Sequence, residues 1–347
     1  MDAGTASMKQ PAASGISVSD PLAVHGGRLA AARARFPMAP TPWLDLSTGI
    51  NPDAYPIGDL PPEVFTRLPE PGDCARLEAV AAEAYGVADP ALVMAAPGTQ
   101  ILIEILPHLV TPGRVAVLGP TYGGHGPAWA RAGHRVRPVE TLAALETADY
   151  AVLVNPNNPD GRVIPAADLA ALAARMAARG GLLVVDEAFA DLEPGVSVAP
   201  FLPLGGLVVL RSFGKTYGLA GLRLGFALSS PDMIAGLRAS FGDWAVSGPA
   251  IAVGIRALAD GRWRLGAMAR AGERAARLDA LMTAAGFTLI GGCRLFRLFA
   301  RDDAGAWFQR FAEAGILTRP FPFRPDWLRL GVPGNDDGFA RLAGVLS

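Results

Sequence analysis

The chain has 347 residues, 51% of them hydrophobic and only 18% charged, with a formal net charge of −1. That is enough apolar material to build two cores, and it excludes wholesale disorder. Acidic and basic side chains are mixed throughout, which argues against nucleic-acid binding or a membrane surface as the main business.

The opening stretch, MDAGTASMKQPAASGISVSD over residues 1–20, is small and polar. It lacks the apolar core of a signal peptide and the arginines of a transit peptide, so it reads as a floppy tail. No apolar run is long enough to cross a bilayer. The two cysteines, Cys74 and Cys293, are far apart and have no CxxC spacing. They suggest no disulfide framework and no metal site, and the expected setting is a reducing cytoplasm.

Further along, Pro97-Gly98-Thr99-Gln100 precedes the apolar run ILIEILPHLV. This places Gly98, Thr99 and Gln100 at a helix N-terminus, where free N–H groups and the helix dipole attract phosphate. RVAVLGP (114–120), YAVLVNP (150–156), GLLVVDEAF (181–189), GLVVLRSFG (206–214) and LRLGFALS (222–229) each read as a strand. Their apolar runs are nearly continuous, as expected for strands covered on both faces. Between them, PAADLAALAARMAARGG (165–181) has helical spacing, with proline at its start and Gly-Gly at its end. Strand–helix–strand alternation predicts an α/β fold with a mostly parallel central sheet.

From about residue 246 the pattern changes to an Arg/Ala-rich helical region (255–285) and strand-like runs near 293–300 and 326–333. The predicted organisation is a tail and arm over 1–40, a large domain over 41–245 and a smaller α+β domain over 246–347.

Among the 31 basic side chains only Lys9 and Lys215 are lysines; the rest are arginine. Lysine can do what arginine cannot: lose its proton and form an imine with an aldehyde. Lys215 sits just after a predicted strand, in the apolar, glycine-rich stretch LRSFGKTYGLAGLRLGF. Asn158, Asp186 and Ser212 also follow predicted strands, and ligands bind at the carboxyl ends of strands in open α/β sheets. If the ligand is pyridoxal phosphate, Asp186 suits the ring nitrogen and Tyr122, in GPTYGGHG, offers a stacking face. Ser212 and Arg223 can then join Gly98, Thr99 and Gln100 around the phosphate. Taken singly, Lys215 reads as a surface lysine, Asp186 as a helix cap, Tyr122 as core and Asn158 as a turn residue. Their joint occurrence in order, each beside a strand, favours the site.

NPNNPDG (155–161), VVDEAF (184–189), SFGK (212–215) and GLRLG (221–225) together resemble the fold-type I pyridoxal-phosphate enzymes of the class I/II aminotransferase superfamily. The resemblance runs from about residue 41 to the C-terminus. It implies Lys215 as the lysine tethered to pyridoxal 5′-phosphate, Asp186 at the pyridine nitrogen and Asn158 at the ring's phenolic oxygen. It also implies Tyr122 stacked on the ring, with Gly98, Thr99, Ser212 and Arg223 around the phosphate. Arg329 in WLRLGVP matches the arginine that clamps the substrate α-carboxylate. Homodimers with active sites at the interface are implied as well.

Two subfamilies compete: the L-threonine-O-3-phosphate decarboxylases of cobalamin biosynthesis and the histidinol-phosphate aminotransferases. HGGR (25–28) ahead of WLDLSTGINP (43–52) resembles the decarboxylase N-terminal segment, which places His25 and Gly26 at the substrate. Phe189 stands where many aminotransferases carry a tyrosine, and Leu68 where transaminases tend to read Tyr-Pro. Arg162 and Arg319 are candidate contacts to a phosphorylated amino-acid substrate. The leading expectation is the decarboxylase, with the aminotransferase second. A non-catalytic pyridoxal-phosphate-binding regulator is a minor alternative, and such proteins usually carry a DNA-binding domain for which the N-terminal tail is too short.

Overall fold

A computed structural model describes residues 20–347. Apart from Asp20, the tail expected over residues 1–20 lies outside the described residues. Asp20 caps the short Pro21–Val24 helix, its Oδ1 accepting from the Leu22 N–H at 2.9 Å.

The central sheet has seven strands. In spatial order they are Val93–Ala96, Gly225–Ser229, Leu207–Ser212, Leu182–Asp186, Tyr150–Val154, Arg114–Leu118 and Arg135–Val139. All neighbours run parallel except Gly225–Ser229, which is antiparallel to both of its partners. The five strands read from the sequence are all present. The two additional ones had weak signals. Val93–Ala96 is four residues long, and Arg135–Val139 is a mostly exposed edge strand that tolerates Pro138. The predicted strand at 222–229 begins at Gly225 because Ala220–Leu222 form a 3₁₀ turn.

The antiparallel strand matters for the site. Parallel strands bring their C-terminal ends to one rim: Val154 is level with Asp186, and Asp186 with Leu210. An antiparallel strand brings its start to that same rim, so Gly225 lies opposite both Ser212 and Ala96. Residues just before Gly225 therefore meet residues just after Ala96, Val154, Asp186 and Ser212.

A second, fully antiparallel sheet orders Arg319–Pro320, Trp327–Gly331, Phe296–Ala300 and Thr288–Cys293. The Ala304–Glu313 helix illustrates how this part is held. Ala304, Trp307, Phe308 and Phe311 recur at helical spacing and are all buried. Burial of each large side chain stabilises by about 2 kcal/mol, and Phe311→Ala would cost about 3–5 kcal/mol. Leu22, Ala32, Phe36 and Leu46 join the same core, and Leu44–Asp45 pairs parallel with Ile316–Leu317. The segment around residues 22–46 is thus folded onto the C-terminal sheet, and this carries the following loop to the rim of the large one.

Candidate active site

The rim holds a cavity lined by Gly98, Thr99, Gln100, Tyr122, Asn158, Asp186, Ser212, Lys215 and Arg223, together with Phe189 and several small apolar side chains. A second cavity shares Tyr122, Asn158, Phe189 and Lys215 with the first and extends to His25, Gly26, Arg319 and Arg329. Lys215 faces both. Of the predicted site residues, only Arg162 lines neither. It lies in the turn after Asn157, where its N–H is held by Asp160 Oδ1 at 3.0 Å.

One end of the first cavity is built for an anion. Gly98 has φ 93°, a left-handed conformation suited to glycine, and caps the Thr99–Ile105 helix. A Cβ there would stand 2.7 Å from Arg223 Nη2, so the missing side chain is what admits the guanidinium. Arg223 itself takes φ 57°, an uncommon backbone for a non-glycine residue and of the kind that collects at functional sites. Ser212 leads into the Phe213–Thr216 helix without using its hydroxyl as a cap. Gln100 stands at the start of the Thr99–Ile105 helix, and its side chain is engaged elsewhere. Its Oε1 accepts from Tyr122 OH at 2.8 Å while its Nε2 donates to Glu104 at 2.9 Å, so the side chain sets the tilt of the tyrosine.

At the other end, Asp186 is buried, with Oδ1 accepting the Ala188 N–H at 3.0 Å. His125 Nε2 lies 2.9 Å from Asp186 Oδ2, and its ring is edge-on to Tyr122 at 6.0 Å. Sequence reasoning missed His125. The available signal was a histidine three residues after Tyr122 in the glycine-rich turn that follows the Arg114–Leu118 strand.

Burial, reinforced by the charge of Arg329 and Arg223, lowers the Lys215 pKa from 10.5 to about 8. Phe189 packs edge-on against Phe296 at 4.9 Å, and Lys215 Nζ stands 5.7 Å from the Phe189 ring centre. Arg329 is 6% exposed and lies 5.0 Å over the other aromatic, Phe296. Its Nη1 donates to Asn158 Oδ1 at 2.5 Å and its Nη2 to the Ser47 carbonyl at 2.7 Å. Its buried Nε has no partner among the described residues. Burial brings both Arg329 and Arg319 down to about 10, still cationic at neutral pH. His25 lies on the exposed side of the second cavity, 6.2 Å from Tyr122. Its pKa is lowered by partial burial and then by Arg319 and Arg28.

The donor set fits pyridoxal 5′-phosphate: an amine whose pKa is lowered to about 8, a buried carboxylate backed by histidine, an aromatic plate and an arginine all face one cavity.

The profile of the family described as aminotransferase class I and II matches residues 69–346. The chain belongs to that family. Its architecture is fold-type I, and it is an enzyme. A curated threonine-phosphate decarboxylase of Sinorhizobium sp is 44% identical over 328 residues, covering 93% of this chain and 97% of the relative. One from Pseudomonas aeruginosa is 42% identical, covering 93% and 96%. Among solved structures, the histidinol-phosphate aminotransferase of Sinorhizobium meliloti in complex with pyridoxal-5′-phosphate superposes with a TM-score of 0.79. It is 22% identical, with 95% of this chain and 97% of that one covered. The two relatives at 42–44% identity are threonine-phosphate decarboxylases, whereas the aminotransferase structure, at 22%, is a likeness of fold.

Proposed function

We propose that the chain is a pyridoxal-phosphate-dependent lyase that decarboxylates L-threonine O-3-phosphate to (R)-1-amino-2-propanol O-2-phosphate, a step of cobalamin biosynthesis. The observation that carries the reading is the pair of cationic arginines, Arg329 and Arg319, on the wall of the cavity that opens onto Lys215. Two such charges suit a substrate with two anionic ends. The full-length similarity to threonine-phosphate decarboxylases supports decarboxylation over transamination.

Bound pyridoxal 5′-phosphate supplies the electron sink for a bond broken at the substrate Cα. In our reading Gly98, Thr99, Gln100, Ser212 and Arg223 hold the cofactor phosphate, the first three through their position at the helix start. Tyr122 stacks on the ring, Asp186 pairs with its nitrogen, and Asn158, whose Oδ1 is committed to Arg329, offers its Nδ2 to the ring oxygen. Lys215 tethers the aldehyde. Arg329 takes the α-carboxylate with the donors left free by Asn158 and Ser47, among them the unpartnered Nε. Arg319, His25 and Gly26 receive the substrate phosphate. Fixing both anionic ends would hold the Cα–carboxylate bond in one orientation within the cavity, which selects the bond to be broken. Carbon dioxide leaves and Cα takes a proton in its place; Lys215 Nζ is the group positioned to hold that proton. Phe189 places no hydroxyl beside the ring.

The active form in this proposal is a homodimer. Phe65, Leu68 and Trp244 are 66%, 67% and 60% exposed, and Leu68 and Trp244 line two neighbouring grooves that share Pro69 and Glu70. Such a patch suits burial by a second copy. Both cysteines are free thiols, which suits a cytoplasmic setting. No helix among the described residues is long and apolar enough to cross a membrane.

The test is to supply L-threonine O-3-phosphate to the purified protein and measure carbon dioxide. Release with formation of the amino-alcohol phosphate is expected. No release, with the ketone imidazole-acetol phosphate and glutamate formed from histidinol phosphate and 2-oxoglutarate, would give the site to the aminotransferase reading instead.

A further inference from the structure

The main chain that carries Lys215 is gripped from a distant part of the sequence. The Asn51 N–H donates to the Lys215 carbonyl at 2.9 Å. Its side-chain Nδ2 donates to the next carbonyl, that of Thr216, also at 2.9 Å. Asn51 Oδ1 in turn accepts the Asp53 N–H at 3.0 Å. Asn51 is 3% exposed, and a primary amide of this size can donate at one end while accepting at the other. The contact continues to Tyr55, whose N–H meets the Tyr217 carbonyl at 2.8 Å.

The same short run of chain reaches the carboxylate arginine. Ser47 supplies the carbonyl that anchors Arg329 Nη2 at 2.7 Å. Beyond Asn51, Asp53 is held by Arg270 at 2.8 Å and Arg274 at 2.9 Å, both on the Gly261–Ala284 helix. Residues 47–53 thus bond at one end to the guanidinium of Arg329 and at the other to the peptide of Lys215.

We propose that Asn51 is a positioning residue for the reaction. It holds the lysine main chain at a set reach from Arg329, so that amine and scissile bond keep one geometry. This rests on the roles given above to Lys215 and Arg329; Asn51 itself touches no reacting atom. Displacements near 1 Å from a productive geometry cost about 100-fold in rate, so a grip on two successive carbonyls of the lysine segment bears directly on turnover.

The sharp variant is Asn51→Asp. It is nearly the same size and keeps both the acceptor for Asp53 and the main-chain bond to Lys215. It exchanges the donor facing the Thr216 carbonyl for a carboxylate oxygen, and so sets a buried negative charge against that carbonyl as well. Two readouts on the holoenzyme separate positioning from mere stability. One is the rate at which methoxyamine, which has no carboxylate for Arg329, discharges the cofactor's lysine-linked absorbance band. The other is kcat and KM for threonine phosphate. Discharge about fivefold or more faster is expected, with kcat lower by about tenfold or more and KM within about threefold. Asn51→Ala, which creates no new bulk, should move both readouts the same way and serves if the aspartate variant does not fold. Unchanged discharge and kcat in a folded variant overturn the proposal, as does an effect confined to KM. A wild-type holoenzyme without any band that methoxyamine discharges overturns it too, and by a distinguishable route: it removes the role of Lys215 on which the proposal rests.

Discussion

His125 Nε2 stands 2.9 Å from Asp186 Oδ2, with both side chains buried in the large core. A carboxylate that accepts from an imidazole N–H and from the Ala188 amide is held in one orientation, facing the cavity. Hydrogen bonds to a charged group contribute about 1.5–3 kcal/mol each. His125→Ala should therefore lower kcat by about 10–100-fold and weaken cofactor retention. Steady-state kinetics and the rate of cofactor loss on dialysis check this. Unchanged values for both would show that Asp186 needs no such support.

Lys215 carries a pH signature. An amine with a pKa of about 8 is mostly protonated at neutrality and free above that point. Uptake of pyridoxal phosphate by the cofactor-stripped protein should accelerate up to about tenfold per pH unit below that value and level off above it. The linkage runs the same way. The folded-state pKa lies below the usual 10.5, so the charged lysine penalises folding fully below about pH 8. That penalty is relieved as pH rises toward 10.5. In the stripped protein Lys215→Met should be the more stable form at pH 7, on the order of 1–3 kcal/mol, with the gap closing by about pH 10.5. Urea midpoints at the two pH values measure it.

Arg319 and Arg162 separate a cavity-lining arginine from one outside the cavity. Arg319→Ala should raise KM for threonine phosphate by about tenfold or more, since a charge-assisted bond to phosphate is lost. Arg162→Ala, outside both cavities, should leave KM within about twofold. Equal effects of the two substitutions would contradict the proposed phosphate subsite.

Gly49 is a packing hinge between the two aromatic rings of the site. A Cβ at Gly49 would stand 2.8 Å from Phe189 Cε1 and 2.9 Å from Phe296 Cδ1. Phe296 carries Arg329 on its face, so the intrusion displaces that guanidinium as well as the ring beside Lys215. Gly49→Ala should cost about 1–3 kcal/mol of stability and raise KM at least about tenfold. Thermal unfolding with parallel kinetics tests both, and a variant with wild-type KM would refute the coupling.

Much of this site was legible because its signals are local. Continuous apolar runs mark Tyr150–Val154, Leu182–Asp186 and Leu207–Ser212, and polar residues directly after such runs fall on one rim wherever neighbouring strands are parallel. Lys215 stood out as one of two lysines in an arginine-rich chain. Gln100 was placed correctly at the cavity, yet its side chain bonds Tyr122 and Glu104, a choice made by where two other elements put their polar atoms. Arg162 reads as well as Arg319 in one dimension, but it lines neither cavity.

By itself, then, the sequence determined five of the seven central strands, the rim they form and the lysine that stands on it, because strand periodicity and residue chemistry act over a few neighbours. Only the tertiary structure decided who supports whom: His125 with Asp186 across 61 residues, Asn51 with Thr216 across 165, Arg329 with Ser47 across 282. Those pairings depend on which strands lie side by side and on the antiparallel entry of Gly225–Ser229, and no local pattern encodes either.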